Sequence, residues 1–105
     1  MAQSAQRIFH DDRAEHRDQV HWRARAFGPD ARSLSLTIVN LSPHGLMARC
    51  DAPFVEGARI HLTLPVAGAI AGEVRWALGG RIGCRFDRGI DRATYYEMLA
   101  AILRP

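Results

Sequence analysis

From Val20 onward the chain is a succession of short runs that alternate apolar and polar residues, each closed by a turn signal. Alternation with a period of two sends successive side chains to opposite faces of a pleated strand, so a series of such runs reads as an all-β barrel or sandwich. Val20, Trp22, Ala24 and Ala26 alternate through a first strand, which Gly28-Pro29-Asp30 breaks. Leu34, Leu36 and Ile38 alternate towards Asn40, and the run is β-branched near its end, which suits a strand. Ser42-Pro43-His44-Gly45 supplies the next turn, proline fixing one φ angle and glycine allowing a positive one. Leu46 to Cys50 resumes as a strand. After a loop bracketed by Asp51-Ala-Pro53 and Glu56-Gly57, Ile60, Leu62 and Leu64 alternate until Pro65 ends the run. Ala69 to Trp76 and Arg81 to Phe86 flank Leu78-Gly79-Gly80, where paired glycines suit a primed hairpin turn. Six strands are expected.

The pattern changes at the end. From Asp91, a side chain suited to an N-cap, Tyr95, Leu99, Ile102 and Leu103 recur at helical spacing and predict one terminal helix with an apolar stripe against the β structure. The other end is different again. Residues 1–18 are polar and charge-mixed, with Ile8 and Phe9 the only bulky apolar side chains, so this segment is expected to be a flexible arm until something orders it. Residues 19–105 form the expected folded unit, and 105 residues in all suffice for one core and little more.

Bulk chemistry narrows the function. The formal charge of +3 favours anionic partners, yet fourteen basic residues, all arginine, against eleven acids is too balanced for a dedicated nucleic-acid binder. Cys50 and Cys84 are far apart, lie in apolar strand patterns and lack the CxxC spacing of a zinc or redox site, so both read as reduced core residues of a cytoplasmic protein. No apolar run approaches the roughly twenty residues needed to span a bilayer, and the start lacks the apolar stretch of a signal peptide. The five histidines form no HExxH, and Ser42 sits in no GxSxG elbow. No catalytic residue, metal or cofactor is expected, and the chain does not read as an enzyme.

Two short motifs carry the chemistry. Arg13-Ala-Glu-His-Arg17 spaces two arginines i, i+4, offering planar, permanently charged forks to phosphate oxygens or to a guanine O6/N7 edge. Asn40-Leu-Ser42-Pro-His-Gly45 adds an amide that donates and accepts, a hydroxyl, and a backbone open to close approach. RxxxR also occurs at Arg81 to Arg85 and Arg88 to Arg92, downstream of the polar motif, whereas NxSxxG occurs once. The ordered pair resembles the PilZ domain family, receptors for cyclic di-GMP, whose signature is RxxxR followed after a strand or two by [D/N]xSxxG. The resemblance runs from about Arg13 to the terminal helix and includes Ile82-Gly83-Cys84-Arg85-Phe86, which resembles the family's closing strand.

The resemblance implies a six-stranded antiparallel β-barrel with one C-terminal helix. It also implies cyclic di-GMP as the ligand, with Arg13, Arg17, Asn40, Ser42 and Gly45 as the binding residues. Asn40 stands where the commoner choice is acidic, which removes a charged acceptor for guanine N1 and N2 and lowers the expected affinity. The arm would fold down on the anionic ligand and signal to a protein partner in trans, from a monomer or a homodimer. The alternative is a nucleotide-independent module of the same fold that docks a protein.

Simpler roles exist for each residue. Arg13 and Arg17 would otherwise be solvated members of a charged arm, and Asn40, Ser42 and Gly45 are what a turn uses in any case. Arg23, Arg75, His16, His44 and Trp76 are further candidates for the pocket. The histidines are expected to be solvent-exposed, and Trp22 and Trp76 to belong to the core or the barrel rim.

Overall fold

The computed structural model describes residues 16–104. Within them the alternating runs become six antiparallel strands, β1 (Asp18–Phe27), β2 (Ser33–Ser42), β3 (Gly45–Arg49), β4 (Arg59–Leu64), β5 (Gly68–Leu78) and β6 (Arg81–Phe86), followed by the helix α1 (Arg92–Leu103). Strands pair in the order β1-β2-β3-β6-β5-β4, and β4 returns to β1 through Ala26↔Leu62 and Phe27↔His61. The sheet is therefore a closed barrel, not a sandwich. Closure leaves no row of unpaired backbone groups along an edge. The expected barrel with one C-terminal helix is what forms. Arg13 and the rest of residues 1–15, the body of the expected arm, lie outside the described residues.

The inward positions fill the barrel. Leu36, Ile38, Leu41, Leu46, Ile60, Leu64, Val74 and Ile82 are fully buried, and each such aliphatic side chain stabilises the fold by about 1.5–3 kcal/mol. Even an eight-stranded barrel is only just wide enough for its side chains to fill or to hold one small ligand. With six strands and this packing there is no room inside for a nucleotide, so a ligand is confined to the outer face or the ends.

Turn chemistry follows the sequence at one hairpin and departs from it at another. Gly79 and Gly80 join β5 to β6 with φ of 60° and 77°, the two positive values a primed turn requires. Pro43-His44 joins β2 to β3, with Ser42 paired to Gly45. Here Gly45 does not use the positive φ expected of it. Its lack of a side chain serves a different need, since a Cβ there would run into the backbone carbonyl oxygen of Cys84 on β6.

Asp91 caps α1 as expected, its carboxylate accepting from the Thr94 backbone N–H at 3.2 Å. The buried stripe is Tyr95, Met98 and Ile102, with Leu99 partly covered. Leu103 differs from expectation. It is 56% exposed, because Met98 and Ile102 already fill the face that meets the barrel. The Tyr95 hydroxyl lies 2.5 Å from Asp18 Oδ2 and 3.1 Å from the Leu41 carbonyl oxygen, tying the helix to the start of β1 and the end of β2. Among the described residues no helix is long and apolar enough to cross a membrane.

Cys50 and Cys84 are free and buried. Burial in apolar surroundings pushes the Cys84 thiol up to about 12. Between its ordinary value and about pH 12 the unfolded chain releases this proton while the folded one keeps it, so stability is complete below that window and falls as pH rises through it. The melting temperature should therefore decline above about pH 9, and Cys84→Ala should flatten that decline. An equally steep decline in the variant would assign the alkaline effect to other groups.

Candidate functional site

The last residue of the first motif, Arg17, meets the second motif because β1 and β2 are antiparallel. The start of one strand lies beside the end of the other, with Asp18 opposite Leu41 and Gln19 opposite Asn40. Arg17, the residue just before β1, is thereby delivered to the polar motif. Its Nη1 donates to Asn40 Oδ1 at 2.9 Å, a bond between residues 23 apart in the chain. Asn40 Nδ2 faces the Met47 sulfur at 3.9 Å, a weak partner for an amide donor.

Two bulges decide which way the key side chains point. Alternation from Leu36 and Ile38 would aim Asn40 into the core. The register between β2 and β3 shifts between Ile38 and Asn40, so Val39 is an extra residue and Asn40 is turned to the outer face beside Met47. The same happens on β5. Val74 is in the core, and strict alternation would send Trp76 there too, but a shift between Val74 and Trp76 makes Arg75 the extra residue. Trp76 then lies outside, 40% exposed and set over Gly83, where any side chain would collide with the indole.

A continuous row results across five strands: Gln19, Asn40, Met47, Gly83 and Trp76 are successive register partners on β1, β2, β3, β6 and β5. Arg17, Met47, Arg75, Trp76 and Gly83 line a recess of about 90 Å³ on this row. The recess offers guanidinium groups and an aromatic face on one rigid ledge, while the Asn40 amide, 7% exposed and outside the recess lining, is reached through its bond to Arg17. Such a set suits a planar heteroaromatic ring that carries both donors and acceptors and is linked to an anion.

The other motif residues build the ledge more than they face outward. Ser42 is fully buried, and its Oγ accepts from the His44 backbone N–H at 3.2 Å, a local bond that holds the turn. Gly45 lets β3 approach β6. The turn is also fastened from behind. The Pro43 carbonyl accepts from the Ile90 N–H and the His44 carbonyl from the Phe86 N–H, each at 2.8 Å, so the segment leading into α1 braces it. His44 is exposed, and His16 is exposed with its Nε2 3.0 Å from Asp18 Oδ1. Arg23 is exposed on β1 and is not among the side chains lining the recess.

Trp22 packs partly buried against the core, as expected. Trp76 does not, for the reason the β5 bulge supplies. Met47 and Gly83 belong to neither motif, and sequence reasoning does not point to them as pocket residues. The one signal is Gly83 itself, since a glycine within a strand marks a site where something approaches the backbone closely. Larger recesses lie elsewhere, one of about 600 Å³ between the β4–β5 turn and the lead into α1, but none of their linings includes Arg17.

The PilZ domain family model matches residues 11–104, nearly the whole chain and both motifs. No curated protein matches it.

Proposed function

This chain belongs to the PilZ domain family, a family that binds cyclic di-GMP and acts on protein partners, and from that we propose that it is a cyclic di-GMP receptor whose ligand lies on the outer ledge of the barrel. The observation that carries the reading is the Arg17–Asn40 bond, which brings the charged motif and the polar motif into one site. Cyclic di-GMP combines two phosphates with two guanines. Arg17 and Arg13 would take phosphate oxygens or a guanine face, and Asn40 the guanine edge.

Ser42 and Gly45 would shape the ledge and present its backbone. Trp76 and Arg75, beside Arg17, would add a ring for stacking and a further cation. The recess is far smaller than a dinucleotide. It would seat one edge of a base while the rest of the ligand lay across the row from Asn40 to Trp76.

Signalling would begin at Arg17. Its Nη1 is engaged by Asn40, so an arriving phosphate competes for it, and the next residue, Asp18, is bonded to Tyr95 of α1. A shift in the arm that carries Arg13 and Arg17 would thus be felt at both the barrel face and the helix, the surfaces available to a partner in trans. The role is that of a binding module, not a catalyst.

Isothermal titration with cyclic di-GMP, against GTP and cyclic di-AMP, tests the reading. Saturable binding of cyclic di-GMP alone is the expected result. A folded sample that takes up none of the three would overturn it and favour the module that docks a protein without nucleotide.

A further inference from the structure

The strands around the ledge carry positive charge that nothing described on the barrel balances. Register places Arg23 on β1 opposite Thr37 on β2, Thr37 opposite Arg49 on β3, and Arg49 opposite Arg81 on β6. These four residues form one row on the outer face, and neighbouring strands about 4.8 Å apart give the row a width of roughly 14 Å. Arg25, opposite Ser35, continues it in the next row. All four arginines are exposed, and none has an ionic partner among the described residues.

Acids are few on this face: just past β3, Asp51 is exposed two residues from Arg49 and forms no ion pair among the described residues. β2, β3 and β6 contain none, and the one in β1, Asp18, is engaged by Tyr95 and His16. The far side of the barrel is built differently: Arg85, Glu73 and Arg59 alternate in sign across β6, β5 and β4, and Arg59 forms a two-pronged pair with Asp87. Like charges directly opposite each other destabilise a sheet. Arg49 opposite Arg81 is such a pair, so folding does not account for it.

We propose that the outer face of β1, β2, β3 and β6 is a docking surface for an acidic segment of a protein partner. Guanidinium forks donate to carboxylates through paired hydrogen bonds, and the register sets Thr37 between Arg23 and Arg49 and Ser35 beside Arg25. Leu78, 79% exposed and opposite Arg81, ends the row with an apolar anchor close to Trp76 on the same strand. Arginine and tryptophan are residues enriched in protein interfaces. A single-stranded nucleic acid would need several aromatic platforms interleaved with the cations, and this face has two, Phe27 and Trp76, one at each margin. The surface goes beyond the nucleotide site and does not depend on nucleotide binding.

Fluorescence anisotropy of the full chain with a labelled polyglutamate peptide, and with a labelled mixed-sequence DNA oligonucleotide, tests this at low ionic strength. The wild type should bind the peptide more tightly than the oligonucleotide. Arg81→Glu should weaken peptide binding about tenfold while its melting temperature stays the same or rises, because a like-charge pair becomes an opposite pair. Arg88→Glu, the same charge change away from the face, should leave peptide binding near the wild-type value. The proposal is overturned if the wild type does not bind the peptide, if the oligonucleotide binds more tightly, or if the two variants lose equally.

Discussion

Arg17→Ala should weaken cyclic di-GMP binding by roughly tenfold to a hundredfold while leaving the barrel folded. Removing a charge-assisted contact commonly costs about 1.5–3 kcal/mol, which corresponds to that range. The side chain is only half-buried and precedes β1, so its loss opens no cavity in the core. The Arg17–Asn40 bond adds a signature that separates this site from general charge attraction. In the wild type each residue holds the other, so Asn40→Ala and the double variant complete a cycle. The double variant should lose less than the sum of the single losses, because residues in direct contact are coupled. Arg17→Lys should recover part of the affinity, the charge without the planar fork. Wild-type affinity in Arg17→Ala would remove this residue from the site and with it the meeting of the two motifs as the basis of binding.

Gly45→Ala is expected to be the most damaging small substitution in the barrel. The added Cβ falls on the Cys84 carbonyl oxygen, a backbone atom held by the pairing of β3 with β6, and no rotamer change relieves it. The strands must move apart at the turn that Ser42 and the α1 lead both brace. Overpacking of this kind costs about 3 kcal/mol, and for a chain of this size that lowers the melting temperature by roughly 10 °C or more. Thermal unfolding followed by circular dichroism checks it. Gly79→Ala is a useful contrast, since its Cβ meets nothing and only the positive φ is strained; its loss should be about 1 kcal/mol. If Gly45→Ala melts like the wild type but no longer binds cyclic di-GMP, the glycine is there for the ligand and not for the strand.

The positions of the two motifs can be read directly from the amino-acid order, but the roles of their residues much less so. Arg17 and Asn40 have side chains directed at each other. Ser42 and Gly45 are occupied by the architecture of the turn, one through a backbone bond and the other through strand proximity. Residues of a type that suits both a turn and a ligand cannot be assigned to either by type alone. Trp76 shows the opposite failure. Its place in an alternating run makes it look like core, and one extra residue on β5 puts it outside.

Local structure in this chain is written in its amino-acid order: six strands by period-two alternation, the Gly79-Gly80 hairpin by its glycines, the start of α1 by Asp91. These features depend on residues within a few positions of one another, and short-range sterics and patterning express them directly. Assembly of the barrel added the rest. It set which strands became neighbours, made Val39 and Arg75 bulges, and brought Arg23, Arg49 and Arg81 into one row. Register is set by packing between segments far apart in the chain, and a shift of one residue sends every following side chain to the other face.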